Sequence, residues 1–286
     1  MNRKHLGMTM VEMLISLLLS TILIGGIGSL FVQVQKSNRI QNANSYMMDD
    51  ARYVIELLQK ELRRTGALRS REDTDGKTDD VFLADNDVFT SGLNLASEEA
   101  IKGDATPGLT NDSMLIRYQL NDINDLNSNN PSNSNSPCTQ NITLNAGDDP
   151  ATQVHVVTIY FYINDNSLVC RAKRQRIDPV GHVVITTIED PTVISLIGNV
   201  HQFVATYGVD SNGDKAADYY TQAVNVDVLQ WNKVISLQLS LVLKSEDDNL
   251  TPTSMPYTVN SNSISTSDKR LYRVFGTSIG MRNLLF

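Results

Sequence analysis

The pattern of apolar and polar positions changes character twice along this chain. From Met13 to Val34 about 22 successive residues carry no charge, enough to span roughly 30 Å of hydrocarbon as a helix. Beyond Lys36 the run becomes amphipathic: Ile40, Met47, Ala51, Val54, Leu58 and Leu62 recur at helical spacings, with Gln41, Asp49, Arg52 and Lys60 between them. Arg63 and Arg64 suit the negative end of a helix dipole, and Gly66 is a natural left-handed cap. The pattern predicts one helix from Met8 to Thr65, about 58 residues and roughly 87 Å long, half in lipid and half on a domain.

After Gly66 the period shortens to two. In VISLQLSLVL (234 to 243) Ile235, Leu237, Leu239, Leu241 and Leu243 share one face, as in a strand with one buried side. VHVVTIYFYI (154 to 163) is apolar on both faces and is predicted as a central strand. The turn NDNS then leads into SLVCRAKRQRI, whose charges predict a more exposed partner strand. SMLIRYQL (113 to 120) and LYRVFGTSIGM (271 to 281) are further strand candidates. A helix followed by strands predicts an α+β fold, a long N-terminal helix packed on an antiparallel sheet. The stretch from Asn121 to Asn141 is polar and of low complexity and reads as a surface loop; no internal repeat is visible.

Composition narrows the function classes. A net charge of -8 and a pI near 5.0 lack the basic footprint of a nucleic-acid binder, while 41% hydrophobic residues suffice for a packed core. The N-terminus implies membrane insertion: Arg3 and Lys4 precede the apolar run and favour a cytoplasmic N-terminus, against Lys36 and Arg39 beyond it. A cleavable secretory signal would be shorter and would end at small residues, whereas this run flows into the amphipathic segment. For an exported domain the two cysteines, Cys138 and Cys170, favour a disulfide over a metal cluster or two free thiols.

Glu12 is the anomaly. An ionised carboxylate in hydrocarbon costs several kcal/mol unless something pairs with it. KHLG followed by MTMVEMLISLLLSTILIGG resembles the class III leader of type IV prepilins and pseudopilins. The resemblance implies cleavage by a prepilin peptidase after Gly7, with Met8 as the mature and commonly N-methylated N-terminus, although the family usually has phenylalanine there. It divides the chain into a leader (1–7), the long helix (8–66) and a periplasmic β-rich head (67–286). The new ammonium at Met8 lies about one helical turn from Glu12, in the same subunit or a neighbour. Misaligned subunits would leave an unpaired charge in apolar surroundings, at about 3 to 5 kcal/mol, so Glu12 reads as a registration device. The alternative is a protonated or snorkelling glutamate in an ordinary anchor. Thr21, Gly25 and Ser29 form a small-residue stripe suited to close helix approach, or simply reflect how common glycine is in membrane helices.

LLQKELRRTGA, FVATYGVDSNGDKAADYY, LQWNKVISLQLSLVLKS and YRVFGTSIGMRN are similar to the PilW-type minor pilins. That resemblance implies a non-enzymatic subunit of the inner membrane that joins other minor pilins to prime pilus assembly and sits at the pilus tip. Its implied partners are those pilins, the major pilin, the prepilin peptidase and the inner-membrane assembly platform. The J-type minor pseudopilin of type II secretion has similar helix and C-terminal features, and a membrane-tethered adhesin or receptor is an alternative of another class.

Other motifs compete with duller readings. Asp210, Asn212, Asp214 and Asp218 stand at calcium-loop spacing, yet Lys215 replaces the sixth-position glycine and Thr221 the twelfth-position acid; a hairpin turn on Asn212-Gly213 is the alternative. DTDGKTDD (73 to 80) is a second acidic turn. GTSIG (276 to 280) matches a nucleophile-elbow pattern, but only MRNLLF follows it and His5, His155, His182 and His201 all precede it. No other cofactor is indicated. RAKRQR (171 to 176) reads as a solvated strand, or else as a docking patch.

Overall fold

The computed structural model describes residues 9–68, 81–86, 88–105, 111–120, 136–142, 147–148, 153–178, 183–190 and 192–284. Helix α1 (Met10–Arg64) is continuous for 55 residues, about 82 Å at the usual rise. Its head-facing stripe buries Met47, Ala51, Val54, Leu57, Leu58 and Leu62, with Ile40 and Ala43 partly covered. At about 1.5 to 3 kcal/mol for each large apolar side chain, this contact contributes on the order of 10 kcal/mol. The helix stops where the sequence predicts. Gly66 takes φ +73°, its amide donates to Arg117 O at 2.9 Å, and a side chain there would overlap Leu284.

Twelve strands occur among the described residues: β1 (Ile101–Ala105), β2 (Asp112–Gln119), β3 (Val154–Asn164), β4 (Ser167–Asp178), β5 (Val183–Glu189), β6 (Ile194–Ile197), β7 (Val200–Val209), β8 (Tyr219–Gln222), β9 (Val234–Lys244), β10 (Tyr257–Val259), β11 (Asn262–Ile264) and β12 (Tyr272–Gly280). They form two main antiparallel sheets where one was expected. The first has the order β1-β2-β3-β4-β5 with β6 also on β4; the second has the order β12-β9-β7-β8, and β10 pairs β11. Helix α1 lies on the second sheet: Gln59 Nε2 donates to Thr277 Oγ1 at 2.7 Å and Arg273 Nε to Asn44 Oδ1 at 3.0 Å.

The sheets are joined by side chains at the start of β2. β8 covers only Thr206–Val209 of β7. Upstream, Asn111 Oδ1 accepts the Phe203 amide at 3.1 Å and Asp112 Oδ2 the Ala205 amide at 2.7 Å. Burial pushes the Asp112 carboxyl up to about 6, with Asp104 adding to it and the Ala205 amide opposing it. The same physics acts on Glu61 of α1, which is fully buried. Burial raises its carboxyl against the pull of Arg64, Ser136 and Lys60.

Five predicted strands are present, with three corrections to their surroundings. β3 is central, as expected, and joins β4 through Asp165 and Asn166, both at positive φ as a two-residue hairpin turn requires. β4 is not an exposed partner, and RAKRQR is neither solvated nor a docking patch. Lys173 and Arg174 are buried, and Lys173 pairs with Asp85. Asp148 receives Arg174 at 2.8 Å and Arg176 at 3.1 Å. Arg174 also donates to His155 Nδ1 at 2.9 Å. These charges are paired because β4 is interior to its sheet, between β3 and β5 with β6. The third correction concerns the polar stretch. Residues 121–135 lie outside the described residues, but its end is core, not surface: Ser136, Cys138 and Thr139 are buried on the turn Pro137–Thr139. Cys138 is bonded to Cys170 of β4, with 5.6 Å between Cα atoms.

Two outcomes follow. Closing a loop of 32 residues in sequence, Cys138→Ser with Cys170→Ser should lower unfolding free energy by roughly 3 to 4 kcal/mol in denaturant titrations. For Asp112 the folded value lies above the unfolded one, so its stabilisation is full below the ordinary carboxylate range and is lost as pH rises through about 6. Asp112→Asn keeps the acceptor for Ala205, so the gap in stability between the variant and the wild type should move in the variant's favour by on the order of 2 kcal/mol between pH 4 and pH 7. A pH-independent gap would contradict this.

Candidate assembly surface

The part of α1 that the head does not cover is the most apolar surface of the molecule. Every large apolar side chain from Met10 to Val34 is more than half exposed; the least exposed, Ile15, is at 54%. At about 1.5 to 3 kcal/mol for each such side chain, leaving sixteen or so in water would cost on the order of 30 kcal/mol. No stable subunit keeps that surface wet, so it must lie in hydrocarbon or against other helices.

The four hydroxyl groups within this surface are satisfied internally, which such an environment favours. Ser16 Oγ donates to Glu12 O at 2.8 Å and Ser20 Oγ to Ser16 O at 2.7 Å. Thr21 Oγ1 donates to Leu18 O and Ser29 Oγ to Gly26 O, each at 2.8 Å. A methyl group built on Gly25, Gly26 or Gly28 would meet nothing within 4 Å, so no contact inside the subunit requires those glycines. The stripe of Thr21, Gly25 and Ser29 therefore faces outward.

Glu12 has a local partner that the sequence reading missed. Thr9 is the N-cap of α1: its hydroxyl accepts the Glu12 amide at 3.4 Å, and Glu12 Oε2 accepts the Thr9 amide at 3.5 Å. This is a capping box, and the signal for it, Thr9-x-x-Glu12 before an apolar run, stands in the sequence. It places the carboxylate at the positive end of the helix dipole. Gly7 and Met8, the predicted processing residues, lie outside the described residues.

On the head the candidate calcium residues build a hairpin loop between β7 and β8. Asp210 accepts the Gly213 amide at 2.6 Å and the Lys215 amide at 2.8 Å. Asn212 Oδ1 accepts from Asp214 N at 2.8 Å, and Asp214 Oδ1 from Ala216 N at 2.9 Å. Asp218 accepts from the Ser211 hydroxyl and amide at 2.6 and 2.7 Å, which hold its carboxyl below the ordinary value. The loop thus has the Asn212-Gly213 turn of the alternative reading, with Gly213 at φ +83°. Among the described residues no group of three His, Cys, Asp or Glu side chains is arranged to hold a metal ion. DTDGKTDD lies outside the described residues. GTSIG runs along β12 with no strand-to-helix turn. His155 is buried beside Arg174, and His201 packs edge-on against Tyr257 and Tyr272; His5 and His182 lie outside the described residues. Sequence reading also missed Val228 and Leu229, 70% and 82% exposed on the turn Val228–Lys233.

Residues 160–283 match the family of type IV pilus-assembly protein W, and residues 2–28 match the prokaryotic N-terminal methylation motif. A type IV-like pilin from Thermus thermophilus is similar in structure at 12% identity and a TM-score of 0.42, over 84% of this chain and 98% of that one. No curated protein matches the chain. The first match runs from the middle of β3 to Asn283; the second contains Gly7, Met8, Thr9, Glu12 and most of the exposed apolar helix.

Thr9→Ala removes one half of the capping box. A lost N-cap costs about 1 kcal/mol, so amide exchange at Glu12 should speed up about fivefold in detergent-solubilised chain, with residues beyond Ser20 unchanged. Equal exchange in the two chains would contradict the cap.

Proposed function

We propose that this chain, which is a PilW-type minor pilin with a class III prepilin leader, waits in the inner membrane with its head in the periplasm and then joins other minor pilins to prime pilus assembly at the tip. The observation that carries the reading is the bare apolar half of α1 headed by Glu12. In the bilayer, lipid covers that surface. In a filament, neighbouring helices replace the lipid, and the small-residue stripe from Thr21 to Ser29 lets them approach closely.

Cleavage after Gly7 would free an ammonium at Met8, next in sequence to Thr9. Glu12, already drawn to the start of the helix by the capping box, is then within a turn of a positive charge in its own or a neighbouring subunit. A penalty of about 3 kcal/mol for each misaligned arrangement biases register by at least about a hundredfold. Pairing thus selects one axial position among many that satisfy the hydrophobic effect equally well. The role requires contacts alone, with no bond made or broken by this chain.

Glu12→Leu tests the reading in cells that express the variant from its own locus. The variant should insert and accumulate at the wild-type level, because the substitution makes the anchor more apolar, while surface pili and twitching fall to the level of a deletion strain. Full piliation would contradict the proposal. So would a deletion strain that keeps its pili but loses protein secretion, which would assign the chain to a secretion system.

A further inference from the structure

We propose that the recess between the end of α1 and the C-terminal turn is a docking site for carboxylates on the head of a neighbouring pilin subunit; this rests on the pilin reading above. The recess has a volume of about 650 Å³ and is lined by Arg63 of α1, by Ser278, Ile279 and Gly280 of β12, and by Arg282 and Asn283 of the turn Arg282–Leu284. Two guanidinium groups line it, and among the described residues no carboxylate does.

Neither guanidinium has a partner among the described residues. Among the described residues of the head, Arg117 binds four backbone carbonyls, Arg171 pairs with Glu189, Arg174 and Arg176 with Asp148, Arg270 with Asp268 and backbone carbonyls, and Arg273 binds Asn44. Arg282 is the exception, with no hydrogen bond or ion pair to any described group. The Arg63 guanidinium is likewise without one, whereas that of its neighbour Arg64 stacks over the Tyr118 ring at 4.4 Å.

The two cations are held on fixed backbone. Asn283 Nδ2 donates to Arg63 O at 2.8 Å and to Thr65 O at 3.3 Å, tying the helix end to the turn, and Met281 N donates to Ile235 O at 2.8 Å. Those Asn283 bonds also occupy terminal carbonyls of α1, which would otherwise repel an anion. A pair of planar guanidinium forks on fixed backbone suits the bidentate geometry of carboxylates.

The distance from the membrane selects a protein over a lipid headgroup. Arg63 lies about 29 residues beyond Val34, roughly 44 Å along the helix axis and several Debye lengths from the bilayer. The size of the recess suits a segment carrying more than one acidic side chain. On a chain whose net charge is -8, this spot is positive against its surroundings, which directs the approach of such a segment.

The test places a photo-crosslinking amino acid at Ser278 of the full chain in piliated cells and maps the adduct by mass spectrometry. The expected adduct joins Ser278 to a peptide of another pilin that contains Asp or Glu. Its yield should fall about tenfold in Arg63→Glu with Arg282→Glu, and stay within about twofold in Arg63→Lys with Arg282→Lys. All three chains should melt within a few degrees of one another, because both arginines are exposed. No adduct, an adduct within the same chain, a peptide without carboxylates, or equal yield in the charge-reversed chain would overturn the proposal. These outcomes are read in cells that make pili, so they leave the Glu12 reading untouched.

Discussion

One helix is asked to satisfy two environments, and the rest of the molecule follows from that demand. From Met47 to Leu62 the stripe of α1 is sealed against the head; from Met10 to Val34 nothing in the subunit covers it. The covered part fixes the helix to its domain with contacts on the order of 10 kcal/mol, so the bare part is held in place and cannot fold back. A subunit built this way is incomplete alone. It must be in lipid or in an assembly, and the exchange of one for the other is nearly neutral in hydrophobic energy because both environments are apolar. On the proposed function, what distinguishes an assembled state is therefore not apolar burial but the carboxylate at Glu12, the small-residue stripe and the charges presented by the head.

The head serves this arrangement by being stiff where the helix enters it. Arg117 is buried among the carbonyls of Phe82, Leu83, Ala96 and Glu99, and its charge is lowered in affinity for its proton, to about 10, by burial. It ties an irregular segment to β2, the strand whose Arg117 carbonyl receives the end of α1 through Gly66. The disulfide pins the buried turn at Pro137–Thr139 to β4, and Asp112 ties β2 to β7. These links run from the helix end through both sheets, so a load on α1 is shared by the whole head. On the proposed function that matters, because slack between helix and head would blur the axial position assigned there to Glu12.

Much of this was legible in the sequence, and the failures have physical causes. The end of α1 was readable because Gly66 is needed both for its φ and for the approach of Leu284. β9 was readable because its leucines alternate with Ser236, Gln238 and Ser240. β7 was not read as a strand: it is buried on both faces between β9 and β8, and His201, Gln202 and Gly208 break any period of two. β5 escaped for the opposite reason, since at the edge of its sheet Val183, Val184 and Ile185 are all exposed and show no buried face. The charges of β4 looked solvated because Asp85 and Asp148, their partners, lie far away in sequence. On the assembly surface the pattern of Thr9 and Glu12 was present in plain view, whereas the recess of Arg63 and Arg282 joins residues more than 200 positions apart and needed the fold to bring it together.

The central claim is that removal of the first seven residues turns an anchored precursor into a subunit addressed by charge. The most direct measurement is the intact mass of this chain recovered from sheared surface filaments, beside that of the chain left in the inner membrane of cells lacking prepilin peptidase. The account predicts a filament form that begins at Met8, carries one added methyl group and lacks residues 1–7, with the full-length form confined to the membrane. A full-length chain inside normal filaments would contradict it.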